Sequence, residues 1–449
     1  MSRQYPTYKD SGVQWLGPVP AHWTVERLKR FAEVLPSNVD KKSHDGETSV
    51  ALCNYTDVYY NDRIVAGMAF MPATATEGQI ERFTLRAGDT IITKDSETAD
   101  DIAISAYVPE DLPGVVCGYH LAIVRSGPSC VGAFLKRLFD SVYARASFAV
   151  RANGLTRMGL GVEEIMTFEV PLPPKDEQVA IAAFLDRETA KIDALVAEQE
   201  RLIELLKEKR QAVISHAVTK GLNPDAPLKD SGIAWLGLVP AHWSVPPLYT
   251  RYDQALGKML DQAKITGAWL TPYLRNLDVR WDRFNVDDLP LMDIRPEEKD
   301  RFTVRKGDLI MVEGRDLGRC AIWDGQSGVV AFQKALHRLR PRDASEHTRY
   351  FYYLMVCANA VGAFLADQLP NEIPHLTGEE LRRHRLPKPP LEEQMAIVEA
   401  LDRETHTFDE LIAEAERAVA LLQERRTALI SAAVTGQIDV RASAKRSAA

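Results

Sequence analysis

No stretch of this 449-residue chain approaches the roughly 18 consecutive apolar residues that a bilayer-spanning helix needs. The opening residues, Met1-Ser2-Arg3-Gln4-Tyr5-Pro6, hold no apolar signal core, so a cytoplasmic location without membrane attachment is the expectation. Cysteine is scarce. The five (Cys53, Cys117, Cys130, Cys320 and Cys357) are odd in number and scattered, and none belongs to a CxxC pair. That pattern argues against a disulfide framework and against a zinc site. Excess positive charge is also missing: 55 basic residues face 63 acidic ones, a formal net charge of −8. Coating DNA non-specifically is driven by phosphate neutralisation and would call for a basic chain. A nucleic-acid binder of this composition has to gather its basic residues on one face.

Motifs that carry chemistry are absent too. There is no Asn/Asp-Pro-Pro-aromatic motif for methylating an extruded base, no glycine-rich cofactor loop between a strand and a helix, and no Walker A sequence. No carboxylate cluster with a following lysine suggests a nuclease, and Asn223-Pro224-Asp225-Ala226 reads as a linker turn. No catalytic residue, cofactor or metal site is therefore expected, and the chain is read as non-enzymatic.

What the chain does have is repetition. The block from Lys9 to Trp23, KDSGVQWLGPVPAHW, returns from Lys229 to Trp243 as KDSGIAWLGLVPAHW, with 12 of 15 positions identical. A second block, Pro173-Pro174-Lys175-Asp176-Glu177-Gln178, returns as Pro389-Pro390-Leu391-Glu392-Glu393-Gln394. A period this long implies duplicated domains rather than a solenoid. The inserts between the blocks, 24–169 and 244–385, are close in length and mostly unlike in sequence.

After each Pro-Pro pair comes a long segment free of Pro and Gly. In the first, positions 181, 185, 188, 192, 195, 199, 202, 206, 209, 213 and 216 alternate by four and three and are mostly apolar; the same register holds 216 residues later. Sustained heptads of this kind predict a coiled coil, closed by Gly221 and Gly436. Each helix should be roughly 60 Å long, with the antiparallel copy as its simplest partner. The inserts read as mixed α/β. Strands are expected at Thr48–Leu52, Thr90–Thr93, Val115–Cys117, Leu121–Val124, Leu309–Val312 and Val329–Phe332, and helices at 131–145 and 347–364. Ala87-Gly88-Asp89 and Lys306-Gly307-Asp308 form matching turns.

The four repeated blocks, in this order and spacing, resemble the specificity subunits of type I restriction–modification systems. The resemblance implies two target-recognition domains of similar α/β fold separated by two helices in an antiparallel coiled coil. The expected domains are 1–172 and 221–388 for recognition, 173–220 and 389–436 for the helices, and 437–449 as a tail. It further implies that each insert reads one half of a split, asymmetric site on double-stranded DNA. Methylation subunits, two of them, and restriction/translocase subunits would be the partners and would supply the chemistry. A coiled-coil scaffold with two protein-binding domains is the runner-up, and a self-contained methyltransferase is a third reading that the missing motifs oppose.

Residues identical in both copies cannot distinguish two DNA sequences. Trp15, His22, Trp23 and their copies Trp235, His242 and Trp243 are therefore expected to pack and cap the helix ends. Base-reading residues should lie where the copies differ, because Arg and Lys suit guanine while Asn and Gln suit adenine. The first insert offers Lys94, Ser96, Thr98, Tyr119, His120, Arg151, Asn153, Thr156 and Arg157. The second offers Arg315, Asp316, Arg319, Gln333, Lys334, His337, Asn371 and His375.

Overall fold

The computed structural model describes residues 4–261, 265–314, 317–325, 327–364 and 376–441. The chain divides into two compact units, Met1–Glu200 with Arg417–Ala449, and Arg201–Glu416. Both are built alike.

Each repeated block folds into a small antiparallel ribbon: Tyr8–Asp10 with Pro18–Pro20, and Leu228–Asp230 with Leu238–Pro240. The KDSG sequence ends the first strand and opens the turn after it. Asp10 accepts the Gly12 N–H at 3.0 Å and Asp230 accepts the Gly232 N–H at 2.9 Å, with the glycines at φ 71° and 70°. The left-handed backbone explains why glycine stands there in both copies.

The Pro-Pro-x-x-Glu-Gln block fastens that ribbon to a helix. His22 Nε2 lies 2.8 Å from Glu177 Oε2, and Trp23 Nε1 donates to Glu177 Oε1 at 3.3 Å. His242 and Trp243 repeat this on Glu393 at 2.8 and 3.0 Å. Trp23 and Trp243 are wholly buried, as the packing role predicts, whereas Trp15 is 56% exposed and so falls outside it. The glutamines are clamps. Buried Gln178 accepts the Val131 N–H at 2.7 Å and donates to the carbonyls of Ser129 and Pro173 at 3.0 and 2.9 Å. Gln394 does the same with His347, Ser345 and Pro389 at 2.9, 3.1 and 2.9 Å.

The unlike inserts share one topology. In the first unit an antiparallel sheet runs in the order Ala32–Pro36, Leu121–Ser126, Asp89–Thr93, Ser105–Tyr107. In the second it runs Tyr252–Leu256, Leu336–Pro341, Leu309–Val312, Cys320–Ile322. Each unit adds a three-stranded sheet with one parallel pair, Val115–Cys117 on Thr48–Cys53 and Ala331–Phe332 on Leu270–Leu274. Asp89–Thr93 and Leu309–Val312 are buried throughout, and the Gly88 and Gly307 turns that lead into them both sit at φ 91°. The expected helix at 131–145 is two, Gly132–Phe139 and Val142–Ala149, because Ser141 caps the second by accepting the Ala144 N–H.

The long helices are Lys175–Lys220 and Leu391–Val434. Gly221 at φ 77° and Gly436 at φ 76° end them. In the first unit Arg426 Nε meets Asp193 Oδ1 at 2.8 Å; in the second Arg210 Nε meets Asp409 Oδ1 at 3.0 Å. The residue numbers of both pairs add to the same total, as an antiparallel pairing requires. The seam differs from the expected register. Leu195 and Leu202 are 49% and 41% exposed, while Ile203 and Ile214 are buried. The shielded stripe of the first helix runs through Ile181, Leu185, Thr189, Ile192, Val196, Gln199, Ile203, Leu206, Arg210, Ile214 and Ala217, and recurs 216 residues later from Ile397 to Ala433. Ten steps between Ile181 and Ala217 average 3.6 residues, the period of a straight helix rather than the 3.5 of a strict heptad repeat. Among the described residues, no helix is long and apolar enough to cross a membrane.

In the first unit, charge ties the insert to the helices. Asp62 receives Lys136 at 2.7 Å, Arg137 at 3.2 Å and Arg426 at 3.3 Å, while Arg63 and Arg137 each reach Asp186 at 2.7 Å. Burial alone would raise the Asp62 pKa, but these cations, Lys136 foremost, hold it down at about 2.

Candidate nucleic-acid interface

In the first unit, the segments singled out in the sequence meet at one edge of the sheet. Asp95–Ser96 pairs with Met158–Gly159, and the Leu160 N–H bonds the Lys94 carbonyl at 2.8 Å. The Lys94 N–H in turn bonds the His120 carbonyl at 3.0 Å. Lys94, Ser96, Tyr119, His120 and the 153–159 loop are therefore held together by backbone. The loop is itself closed, because Asn153 and Gly159 exchange both of their N–H···O bonds at 3.0 and 2.8 Å. Asn153, Thr156 and Arg157 stand exposed on it, and Thr98 is exposed on the 94–101 segment.

The side chains form a polar, aromatic surface. His120 Nδ1 lies 2.7 Å from Asp95 Oδ2, with the Tyr119 ring against the imidazole at 3.7 Å between centroids. The helix Tyr55–Tyr59, capped by Asn54, stacks its two tyrosines at 5.5 Å and donates the Tyr59 hydroxyl to Asp101 at 3.0 Å. That hydrogen bond raises the Tyr59 pKa, whereas burial is what raises that of Tyr55. Tyr55, Tyr59 and Asp101 escaped the sequence reading. The signal for the two tyrosines was the Asn-Tyr-Thr-Asp-Val-Tyr-Tyr run, a capped helical turn with tyrosines four apart.

Two of the first insert's candidates turn inward. Ser96 is buried, with its hydroxyl 3.4 Å from Asp101. The half-buried Arg151 lays its guanidinium 6.0 Å from the Phe168 ring centre.

The second unit places corresponding segments together. The Glu313 N–H bonds the Ala335 carbonyl at 3.0 Å and the Leu376 N–H bonds the Glu313 carbonyl at 3.0 Å, matching the Lys94, His120 and Leu160 links. Lys334 is exposed and Gln333 half-buried on the turn between strands. His337 is fully buried: its Nδ1 faces the Gln254 amide at 3.3 Å and its Nε2 the Leu376 carbonyl at 3.1 Å, so it presents no edge to solvent in this conformation. Its strand is central in the sheet and buried at four successive residues, Leu336 to Leu339, so neither face there opens to solvent. Arg319 is half-buried and donates to the Asn276 carbonyl at 3.0 Å. Arg315, Asp316, Asn371 and His375 lie outside the described residues. Among the described residues, no group of three or more His, Cys, Asp or Glu side chains could hold a metal ion.

Residues 292–419 match the family model of the type I restriction modification DNA specificity domain. The chain is 21% identical to a Methanocaldococcus jannaschii protein assigned as the MjaX type I restriction enzyme specificity subunit, over 95% of this chain and 96% of that one. It is also 21% identical to the Escherichia coli EcoKI specificity subunit, over 78% and 75%. Two solved structures share the fold. One is a chain from a study of complex assembly and conformational transition of the type I R-M system, with a TM-score of 0.72, 18% identity, and 93% and 98% coverage. The other is the HsdS subunit of Thermoanaerobacter tengcongensis, with a TM-score of 0.56, 19% identity, and 94% and 98% coverage.

Proposed function

We propose that this chain, which belongs to the type I restriction–modification specificity subunits, reads a bipartite asymmetric DNA site, one half with each insert. One observation carries the reading: two units with the same frame and sheet order differ in the residues on their corresponding loops, 94–98 and 118–120 against 317–319 and 333–335. A shared scaffold with divergent edges is what reading two different half-sites requires, since base identity is read by side-chain donors and acceptors.

In this reading residues 1–172 and 221–388 are the recognition domains, 173–220 and 389–436 the helices between them, and 437–449 a tail. The chain performs no chemistry. It positions two methylation subunits, and restriction/translocase subunits join for cleavage. The assembly context of the similar solved structure supports such partners. The scaffold alternative draws on no observation of its own.

The test exchanges residues 24–169 for the insert of a relative and maps methylated adenines genome-wide. One half of the modified sequence should change. A change in both halves, or in neither, overturns the reading.

A further inference from the structure

The second insert holds a basic cleft beside a short hairpin. The short hairpin Val279–Arg280 and Arg283–Phe284 turns through Trp281 and Asp282, with Arg280 paired to Arg283 across it. Asp282 takes the left-handed φ of 59°, and its carboxylate binds the Arg349 guanidinium, which also reaches Asp402 on the long helix at 3.0 Å. The acid of the hairpin is thereby spoken for. Arg280, Trp281, Arg283, Arg319 and Asn359 line a cleft of about 570 Å³, and among the described residues no carboxylate lines it. Arg280 and Arg283 are exposed, and neither side chain has a hydrogen-bond or ion-pair partner among the described residues.

The corresponding place in the first unit is neutral or acidic. There Asn61-Asp62-Arg63 forms the equivalent turn, and Arg63 is neutralised by Asp186 at 2.7 Å. The helix residue 216 positions on, Asp402, pairs with Arg349 and accepts the Tyr353 hydroxyl at 2.6 Å, and among the described residues it makes no ion pair with Arg283. Before the edge strand, where the second unit has Arg319, the first has Asp100 and Asp101 in its longer segment.

We propose that this cleft grips one or two phosphates of the DNA backbone beside the bases read by the 317–319 and 333–335 segments. The proposal rests on the function proposed above. Arg319 ends the first of those segments, and Asn359 donates to the Leu317 carbonyl within it, so the cleft is continuous with the reading edge. Guanidinium forks match phosphate oxygens, and the flat Trp281 face suits a sugar edge. In a chain of net charge −8, the exposed Arg280 and Arg283 supply the local positive charge that phosphate contact needs. An acidic protein segment is the competing occupant.

The experiment uses the complete complex with its methylation subunits and the cognate duplex, titrated at several salt concentrations. The double variant Arg280→Gln/Arg283→Gln should weaken binding about tenfold and flatten the slope of log K against log [salt] by about two, at roughly 0.9 per lost phosphate contact. Arg280→Lys/Arg283→Lys should retain most of that slope, and the methylated sequence should be the same in all variants. Unchanged affinity and slope in the glutamine variant would overturn the proposal. So would loss of assembly with the methylation subunits, which would assign the cleft to protein. Failure of the wild-type complex to discriminate its methylated sequence would instead sink the function it rests on.

Discussion

Arg125 grips Asp89 with two hydrogen bonds, Nε to Oδ1 at 2.9 Å and Nη2 to Oδ2 at 2.8 Å, and Arg340 grips Asp308 in the same way at 2.7 Å for both. The aspartates also cap the turns before their strands, accepting the N–H of Arg86 at 2.9 Å and of Arg305 at 2.7 Å. The two inserts thus hang their central strands from the same hook. Asp89→Ala or Asp308→Ala strands a largely buried guanidinium and should cost about 3 kcal/mol. The paired replacement Asp89→Leu/Arg125→Leu should cost less than the single. Urea unfolding checks the order, and a double variant worse than the single would contradict it.

Gln178 and Gln394 each satisfy three backbone groups in a buried site. Gln178→Ala and Gln394→Ala should destabilise by similar amounts, about 2 kcal/mol, since each leaves donors and acceptors unpaired. Thermal melting of each variant measures this. A strong effect at one site and none at the other would break the equivalence of the two frames.

The helix seam gives a sharper contrast. Ile203 is buried and its neighbour Leu202 is 41% exposed. Ile203→Ala should therefore cost about 2 kcal/mol, and Leu202→Ala less than about 0.5 kcal/mol. The heptad reading requires the opposite order, and denaturant midpoints distinguish the two.

Asp62 links stability to pH. Its folded pKa of about 2 lies below that of an unfolded carboxylate, so its contribution is complete above about pH 4 and fades as the pH falls towards 2. Asp62→Asn should lower stability by about 1 kcal/mol at pH 7, because half of the side chain is open to solvent and screened. The gap from wild type should narrow at pH 3. A gap that stays constant from pH 7 to pH 3 would show that the carboxylate charge is not its source.

Much of the architecture was legible because it is written locally and twice. Repeated blocks revealed the frame, glycines marked the helix ends, and the Gly88 and Gly307 turns lead into their strands as the sequence suggests. Beyond those matching turns, the residues of the inserts carry little sign of their common topology. Buried apolar strands tolerate any hydrophobic filling of the right size, so topology survived while identity did not. The Asp–Arg hooks, 36 and 32 residues apart in sequence, have no local pattern to betray them.

Composition, repeats and spacing by themselves determined a duplicated frame and a pair of long helices, and offered candidate reading segments in each insert. Local rules suffice for these: a glycine at a left-handed turn, a proline before a helix, a polar loop between apolar strands. Only the tertiary structure decided which side chains are available. It buried His337, laid Arg151 on Phe168, brought Tyr59 against Asp101 of the 94–101 segment and left Arg280 and Arg283 facing an open cleft. It also moved the seam from 3.5 to 3.6 residues per step, because packing is set by the path of the whole helix and not by any one turn.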